Sequence, residues 1–105
     1  LKVGGFDWDA GNREKCTRHG LTWAQIESLF QGEPRVAPDV RHSSAEQRFI
    51  AVGRIDTGRP VFVAFTLRHI DGQTLIRPIS ARYMHAEEAR RYELAENHPP
   101  TDHGR

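Results

Sequence analysis

The order of patterns along the chain predicts an α+β fold: a small antiparallel meander with helices before it and one helix after it. Three observations carry that prediction. Apolar runs at 49–55, 61–67 and 75–82 are separated by turns holding Thr57-Gly58 and Asp71-Gly72, which are hairpin signals. Two segments in the first third of the chain combine a helix cap with helical apolar spacing. A charged segment with helical spacing follows the last apolar run.

Val3 to Trp8 reads as a short first strand, with Phe6 and Trp8 as its aromatics. Asp9 is placed to cap a helix, since its carboxylate accepts from the orphan amides of a first turn. That helix runs to about His19, and Gly20 supplies the left-handed residue that ends it. Thr22 and Gln25 have the spacing of a capping box, and Trp23, Ile26, Leu29 and Phe30 recur at helical intervals that face a core. Gly32 ends this second helix and Pro34 follows. Arg35 to Val40 reads as an edge strand, because Pro38 has no N–H to give to a ladder. The three apolar runs form the meander. Ala86 to about Asn97 forms the last helix, with Glu87 and Arg91 spaced as a supporting pair. Residues 1–97 are expected to make one domain and residues 98–105 a disordered tail.

Composition narrows the function. The chain has 105 residues, 28% of them charged and 37% hydrophobic, which suits a domain with one modest core. A formal charge of +1 gives no global field for nucleic acid, so an anion site has to come from local clustering of the 15 Lys and Arg residues. The single cysteine, Cys16, excludes an intrachain disulfide and a cysteine-based zinc site. No two histidines stand at i, i+4, and no phosphate-loop, dinucleotide or Gly-x-Ser-x-Gly pattern is present. No cofactor and no metal are expected. No apolar run approaches the ~18 residues that span a bilayer, so a cytoplasmic location without membrane association is expected.

The densest chemistry lies where the last strand runs into the last helix. Arg82, Tyr83 and His85 fall within four residues. Arg82, at a rigid strand end, is the preferred phosphate contact because its planar fork matches phosphate oxygens; the competing structural role is a surface pair with Glu87 or Glu88. Arg77 is five positions earlier, on the opposite face of a regular strand unless a bulge at Pro78 changes the count. Arg48 and Arg54 share parity on the neighbouring strand, and strand pairing can bring one of them beside Arg82. His19 closes the first helix, where the helix dipole by itself favours a cation.

Four stretches together resemble the BrnT family of small ribonuclease toxins. They are Phe6-Asp7-Trp8-Asp9; Lys15 with Arg18-His19-Gly20; Arg48-Phe49-Ile50-Ala51-Val52-Gly53-Arg54; and Arg77-Pro78-Ile79-Ser80-Ala81-Arg82. The similarity runs from about Phe6 to Tyr92. It implies a compact fold similar to RelE-type toxins, RNA cleavage that arrests translation and growth, and a BrnA-like antitoxin partner. That partner would block the toxin and contact operator DNA, and the two together would form a hetero-tetramer. The chain departs from the family pattern after Ser-Ala-Arg, where many members carry a second basic residue and this one has Tyr83, Met84 and His85. The usual Lys-His-Gly is Arg18-His19-Gly20.

The resemblance implies an endoribonuclease that cleaves mRNA without a metal. The 2′-hydroxyl attacks the adjacent phosphate and leaves a 2′,3′-cyclic phosphate. Arg82 and Arg48 are assigned to the phosphate, and His85 or Tyr83 to proton transfer, with His19 and Lys15 behind them. Lys15, Arg54, Arg77 and Ser80 complete the candidate substrate contacts. The alternative is a non-catalytic module that uses the same residues to hold RNA or an antitoxin.

Overall fold

The structure is a computed structural model that describes residues 3–42 and 44–97. The expected tail lies outside the described residues. The expected α+β architecture is present, as one five-stranded sheet with three α-helices among the described residues. Strand β1 (Gly5–Phe6) precedes helices α1 (Ala10–Thr17) and α2 (Trp23–Gln31). Strands β2 (Arg35–Pro38), β3 (Phe49–Arg54), β4 (Pro60–Ile70) and β5 (Gln73–Tyr83) follow, with a short 3-10 turn at Val40–His42, and α3 (Ala86–Asn97) is the last element among the described residues. The spatial order is β1-β5-β4-β3-β2. Pairing is antiparallel except for β1, which runs parallel to β5.

Local chemistry explains the helix ends. Asp9 accepts from the Asn12 amide at 2.9 Å while the Asn12 side chain accepts from the Asp9 amide at 2.7 Å, a reciprocal cap. Thr22 and Gln25 form the same box at 3.0 Å in both directions. Gly20 takes φ +97° after α1, as its position suggested. Between β4 and β5, Asp71 and Gly72 both have positive φ, 51° and 77°, which is the primed turn that suits strand twist.

The core lies between the sheet and α1 and α2. Ala51 on β3, Val61, Val63 and Phe65 on β4, and Ile76 and Ala81 on β5 meet Cys16, Leu21, Ile26 and Leu29. Gly53 lies on this face in close contact with α2: a Cβ there would stand 2.7 Å from Leu29 Cδ1, and that buried side chain would have to shift. Trp23 does not join the core. It is 45% exposed at the first position of α2, where it lies edge-on to Trp8 and under the Arg13 guanidinium at 4.1 Å. The first strand is shorter than its aromatic pattern suggested, since only Gly5 and Phe6 pair with β5. The edge strand stops at Pro38, and Val40 turns outward, 83% exposed.

A bulge in β5 decides which side chains share the second face of the sheet. Phe65 is level with Pro78 and Ala64 with Ser80, so Ile79 is the extra residue. Arg77 is level with Thr66 and Arg82 with Phe62. Thr66 and Phe62 have the same parity on β4, so the bulge brings Arg77 and Arg82 to one face. The sequence had left this to the count at Pro78. Asn12 pins the bulge: its amide donates to the Pro78 carbonyl at 2.9 Å and the Asp7 carbonyl at 3.0 Å. The start of α1 is thereby fixed to the middle of β5.

Candidate active site

The second face is polar at its margins and apolar in the middle. Register places Val52, Phe62 and Arg82 in one row across β3, β4 and β5, and Ile50, Ala64 and Ser80 in the next. All of these except Val52 line a cleft of about 360 Å³, together with His19 and Ala81. Its size falls in the range of small-ligand sites. Ile50, Phe62 and Ala64 make an apolar floor, and Arg82, Ser80 and His19 are the polar groups.

His19 reaches this cleft because of the pin at the other end of α1. From Pro78 to Arg82, β5 rises ~13 Å at ~3.3 Å per residue. From the pinned Asn12 to His19 is a rise of ~10 Å at ~1.5 Å per residue, α1 packs on β5, and just past His19 a Cβ at Gly20 would stand 3.6 Å from the Tyr83 ring. A helix fixed at Pro78 therefore delivers its far end level with Arg82. α1 ends at Thr17 with Arg18 as its cap, so His19 lies just beyond the helix, exposed.

Arg82 is oriented from both sides. Its guanidinium lies 4.6 Å from the centre of the Phe62 ring. It also donates to both carboxylate oxygens of Glu88 on α3, at 2.9 and 3.0 Å. Glu88 additionally accepts from the His85 amide at 2.8 Å. The Arg82 hydrogen bonds, then that amide, hold the Glu88 carboxyl down to about 2. The same pairing raises the guanidinium pKa of Arg82, so its charge is fixed.

The remaining candidates are dispersed. Arg54 shares the face with Arg82 but is engaged with α3, donating to the two Glu96 oxygens at 3.2 and 2.6 Å. Arg48 precedes β3 by one residue, beyond the Ile50 row and not beside Arg82. The contact cluster of arginines expected from parity is therefore spread over several rows. Arg77 is committed to Asp9 at 2.8 Å and Asp7 at 3.4 Å, where it anchors the cap of α1. Tyr83 points the other way: it packs against the core, with the Arg59 guanidinium 3.6 Å from its ring centre. His85 is exposed at the start of α3, its ring 3.5 Å from Glu88. Lys15 is exposed on α1. Cys16 is fully buried and its thiol is pushed up to about 11 by that burial, so it is not a nucleophile.

Sequence reasoning overlooked the floor of the cleft and the tie between Arg54 and Glu96. The floor was recoverable. Once the turn at Thr57-Gly58 fixes the hairpin, Ile50 must face Ala64 and Val52 must face Phe62. The tie was not, because its residues are 42 positions apart and no local pattern links them. Among the described residues, no group of three His, Cys, Asp or Glu side chains is gathered for a metal ion, and no helix is long and apolar enough to cross a membrane.

Two comparisons with known proteins bear on this site. No curated protein matches the chain. A family model described as ribonuclease toxin, BrnT, of type II toxin-antitoxin system matches residues 8–88, a span that contains His19, Ser80, Arg82 and Glu88.

Proposed function

The chain belongs to the BrnT family of ribonuclease toxins of type II toxin–antitoxin systems, and on that premise we propose that the cleft of His19, Ser80 and Arg82 cleaves mRNA and so arrests translation and growth. The observation that supports this reading is the placement of an imidazole, a hydroxyl and a guanidinium around one apolar floor.

Cleavage needs a proton taken from the 2′-hydroxyl, charge neutralised on the pentacoordinate phosphorus, and a proton given to the departing 5′-oxygen. Arg82 can present two N–H groups to the non-bridging oxygens, as it now does to Glu88. The Ser80 hydroxyl can donate a further hydrogen bond. His19 takes and returns the proton, since imidazole does both near neutral pH. The nucleobase lies on the apolar floor. Products are a 2′,3′-cyclic phosphate and a 5′-hydroxyl, with no water consumed. Among the acid–base candidates, His19 is preferred to Tyr83 and His85 because it alone lines the cleft with Arg82.

A type II system implies an antitoxin partner. We further propose that this antitoxin is BrnA-like, that it covers the second face of the sheet, and that it carries the contact with operator DNA in a hetero-tetramer with the toxin.

The test is cleavage of a defined RNA by wild type, Arg82→Ala and His19→Ala, with cyclic phosphate as the readout. Arg82→Ala should lose roughly 10²–10³-fold in rate, the scale of a lost charge-stabilising donor. His19→Ala should lose roughly 10²–10⁴-fold, the scale of general acid–base catalysis. Both should remain folded. Wild-type rates in folded Arg82→Ala would refute the assignment. RNA binding by the wild type without products would return the chain to a non-catalytic binding module.

A further inference from the structure

Helix α3 is held on the second face in an unusual way. None of its residues is buried. It is fastened instead by arginine forks: Arg82 on Glu88 near its start, and Arg54 on Glu96 near its end, with Glu93 3.7 Å from Arg54. Between these ties the helix does not close on the sheet. A second cleft of about 370 Å³ remains there, lined by Val52 and Phe62 from the sheet, Met84, and Glu88, Arg91 and Tyr92 from the helix. Phe62 lines this cleft and the catalytic one alike. With α3 lifted, the two clefts become one apolar track, with His19 at one side, Arg82 in the middle and Arg54 at the far end.

We propose that α3 is an autoinhibitory strap whose Glu88 and Glu96 carboxylates occupy the phosphate positions of Arg82 and Arg54, so that a single-stranded RNA must displace the helix to enter the full site. This rests on reading the cleft as a nucleic-acid site. A carboxylate that accepts two parallel N–H bonds from a guanidinium has the same geometry as a phosphate that does so. The exchange conserves the pairing of each arginine, so desolvating it costs little. The helix also survives its release. Glu88 accepts from the His85 amide at 2.8 Å and the Ala89 amide donates to the His85 carbonyl at 2.8 Å, both within the α3 segment itself. His85 and α3 can therefore swing as one body about Met84, whose amide stays on the Pro60 carbonyl at 3.0 Å, and the helix does not have to melt.

The test uses a 2′-deoxy oligonucleotide, which cannot be cleaved by this route, and the full chain as wild type and as Glu88→Gln/Glu96→Gln. Affinity is read by fluorescence anisotropy and the state of α3 by amide hydrogen exchange. A control, Glu14→Gln/Glu87→Gln, makes the same change of charge without touching either fork. The strap variant should bind about threefold to thirtyfold more tightly, the range set by removing two exposed competitor pairs. Saturating oligonucleotide should speed exchange along α3 in wild type and leave α2 unchanged. Equal affinity of strap variant and wild type overturns the proposal, as does an equal gain in the control, or protection of α3 on binding. RNA cleavage by the same proteins separates the two readings. If wild type cleaves RNA while the strap variant gains no affinity, the strap fails and the ribonuclease stands. If no protein binds or cleaves, both fail.

Discussion

The two faces of this sheet are covered by different physics. On one, α1 and α2 bury Cys16, Leu21, Ile26 and Leu29 against β3, β4 and β5, with side chains at 0–2% exposure. On the other, α3 buries nothing completely and is tied by Arg82–Glu88 and Arg54–Glu96. Apolar burial is insensitive to salt and has no alternative partner. An ion pair is screened by salt and can be exchanged for another anion. The first face holds the fold, and the second is held by contacts that another anion can replace.

The comparison breaks most visibly on the buried side. Leu29→Ala should cost about 2–5 kcal/mol, the range for a large buried aliphatic cut to alanine, since Leu29 is 1% exposed. Gly53→Ala should cost about 1–3 kcal/mol by overpacking, because its new Cβ would stand 2.7 Å from Leu29 Cδ1 and 3.3 Å from Pro34 Cβ. These two effects should not add. In the Leu29→Ala background the clash is gone, so the Gly53→Ala cost should shrink or vanish in a denaturant double-mutant cycle. Strict additivity would mean that Leu29 is not what excludes a side chain at 53.

On the α3 side the expected effects are smaller and depend on solvent. Arg54→Ala should change global stability by no more than about 1 kcal/mol, as for other exposed ion pairs. It should nevertheless speed amide exchange at the end of α3. Acid should act in the same place. Glu88 is held down to about 2 from an ordinary 4.5 by its bonds to Arg82, and Glu96 is lowered by its bond to Arg54. A depressed carboxyl contributes stability that is present above its unfolded value and lost as pH falls through the folded one. The Arg82–Glu88 tie should therefore be constant through neutral pH and fail between about 4.5 and 2, and the Arg54–Glu96 tie should weaken in the same acid direction. Hydrogen exchange against pH and salt would show this. Loss of α2 protection in step with α3 would remove the distinction between the faces.

The same division explains how much could be read from the sequence. Elements with local causes were legible: the reciprocal caps at Asp9 and Thr22, the left-handed Gly20, the Asp71-Gly72 turn and the span of α3 all follow from residues within four positions of each other. Arg82 could be singled out because a strand end is a recognisable place, and the structure puts it at the wall of the cleft. What depended on pairing across strands was not. One extra residue, Ile79, moved Arg77 to the face of Arg82, and the spread of Arg48, Arg54 and Arg82 over separate rows needed the register of three strands. Trp23 had the spacing of a core residue, yet at the first turn of α2 a cation and a second indole cover it from outside. His19 stood behind the other acid–base candidates because its helix end looked sufficient as an explanation, yet it lines the cleft. Only the pin of Asn12 to Pro78 shows where that end arrives.

The smallest expected effect tests whether the second face carries function away from α3. Thr66 is 1% exposed, level with Arg77 in the pairing, and its hydroxyl is without a hydrogen-bond partner among the described residues. A buried hydroxyl with no partner forfeits its hydration, and valine has nearly the same shape without that cost. Thr66→Val should therefore leave stability unchanged or raise it by up to about 1 kcal/mol, read from the denaturation midpoint. RNA cleavage should be unaffected, since Thr66 lies one row past the Ile50, Ala64 and Ser80 side chains that line the cleft. A folded Thr66→Val protein that cleaves poorly would show that substrate reaches this row. The site would then extend toward Arg48 and Arg77, along the part of the face that α3 leaves open.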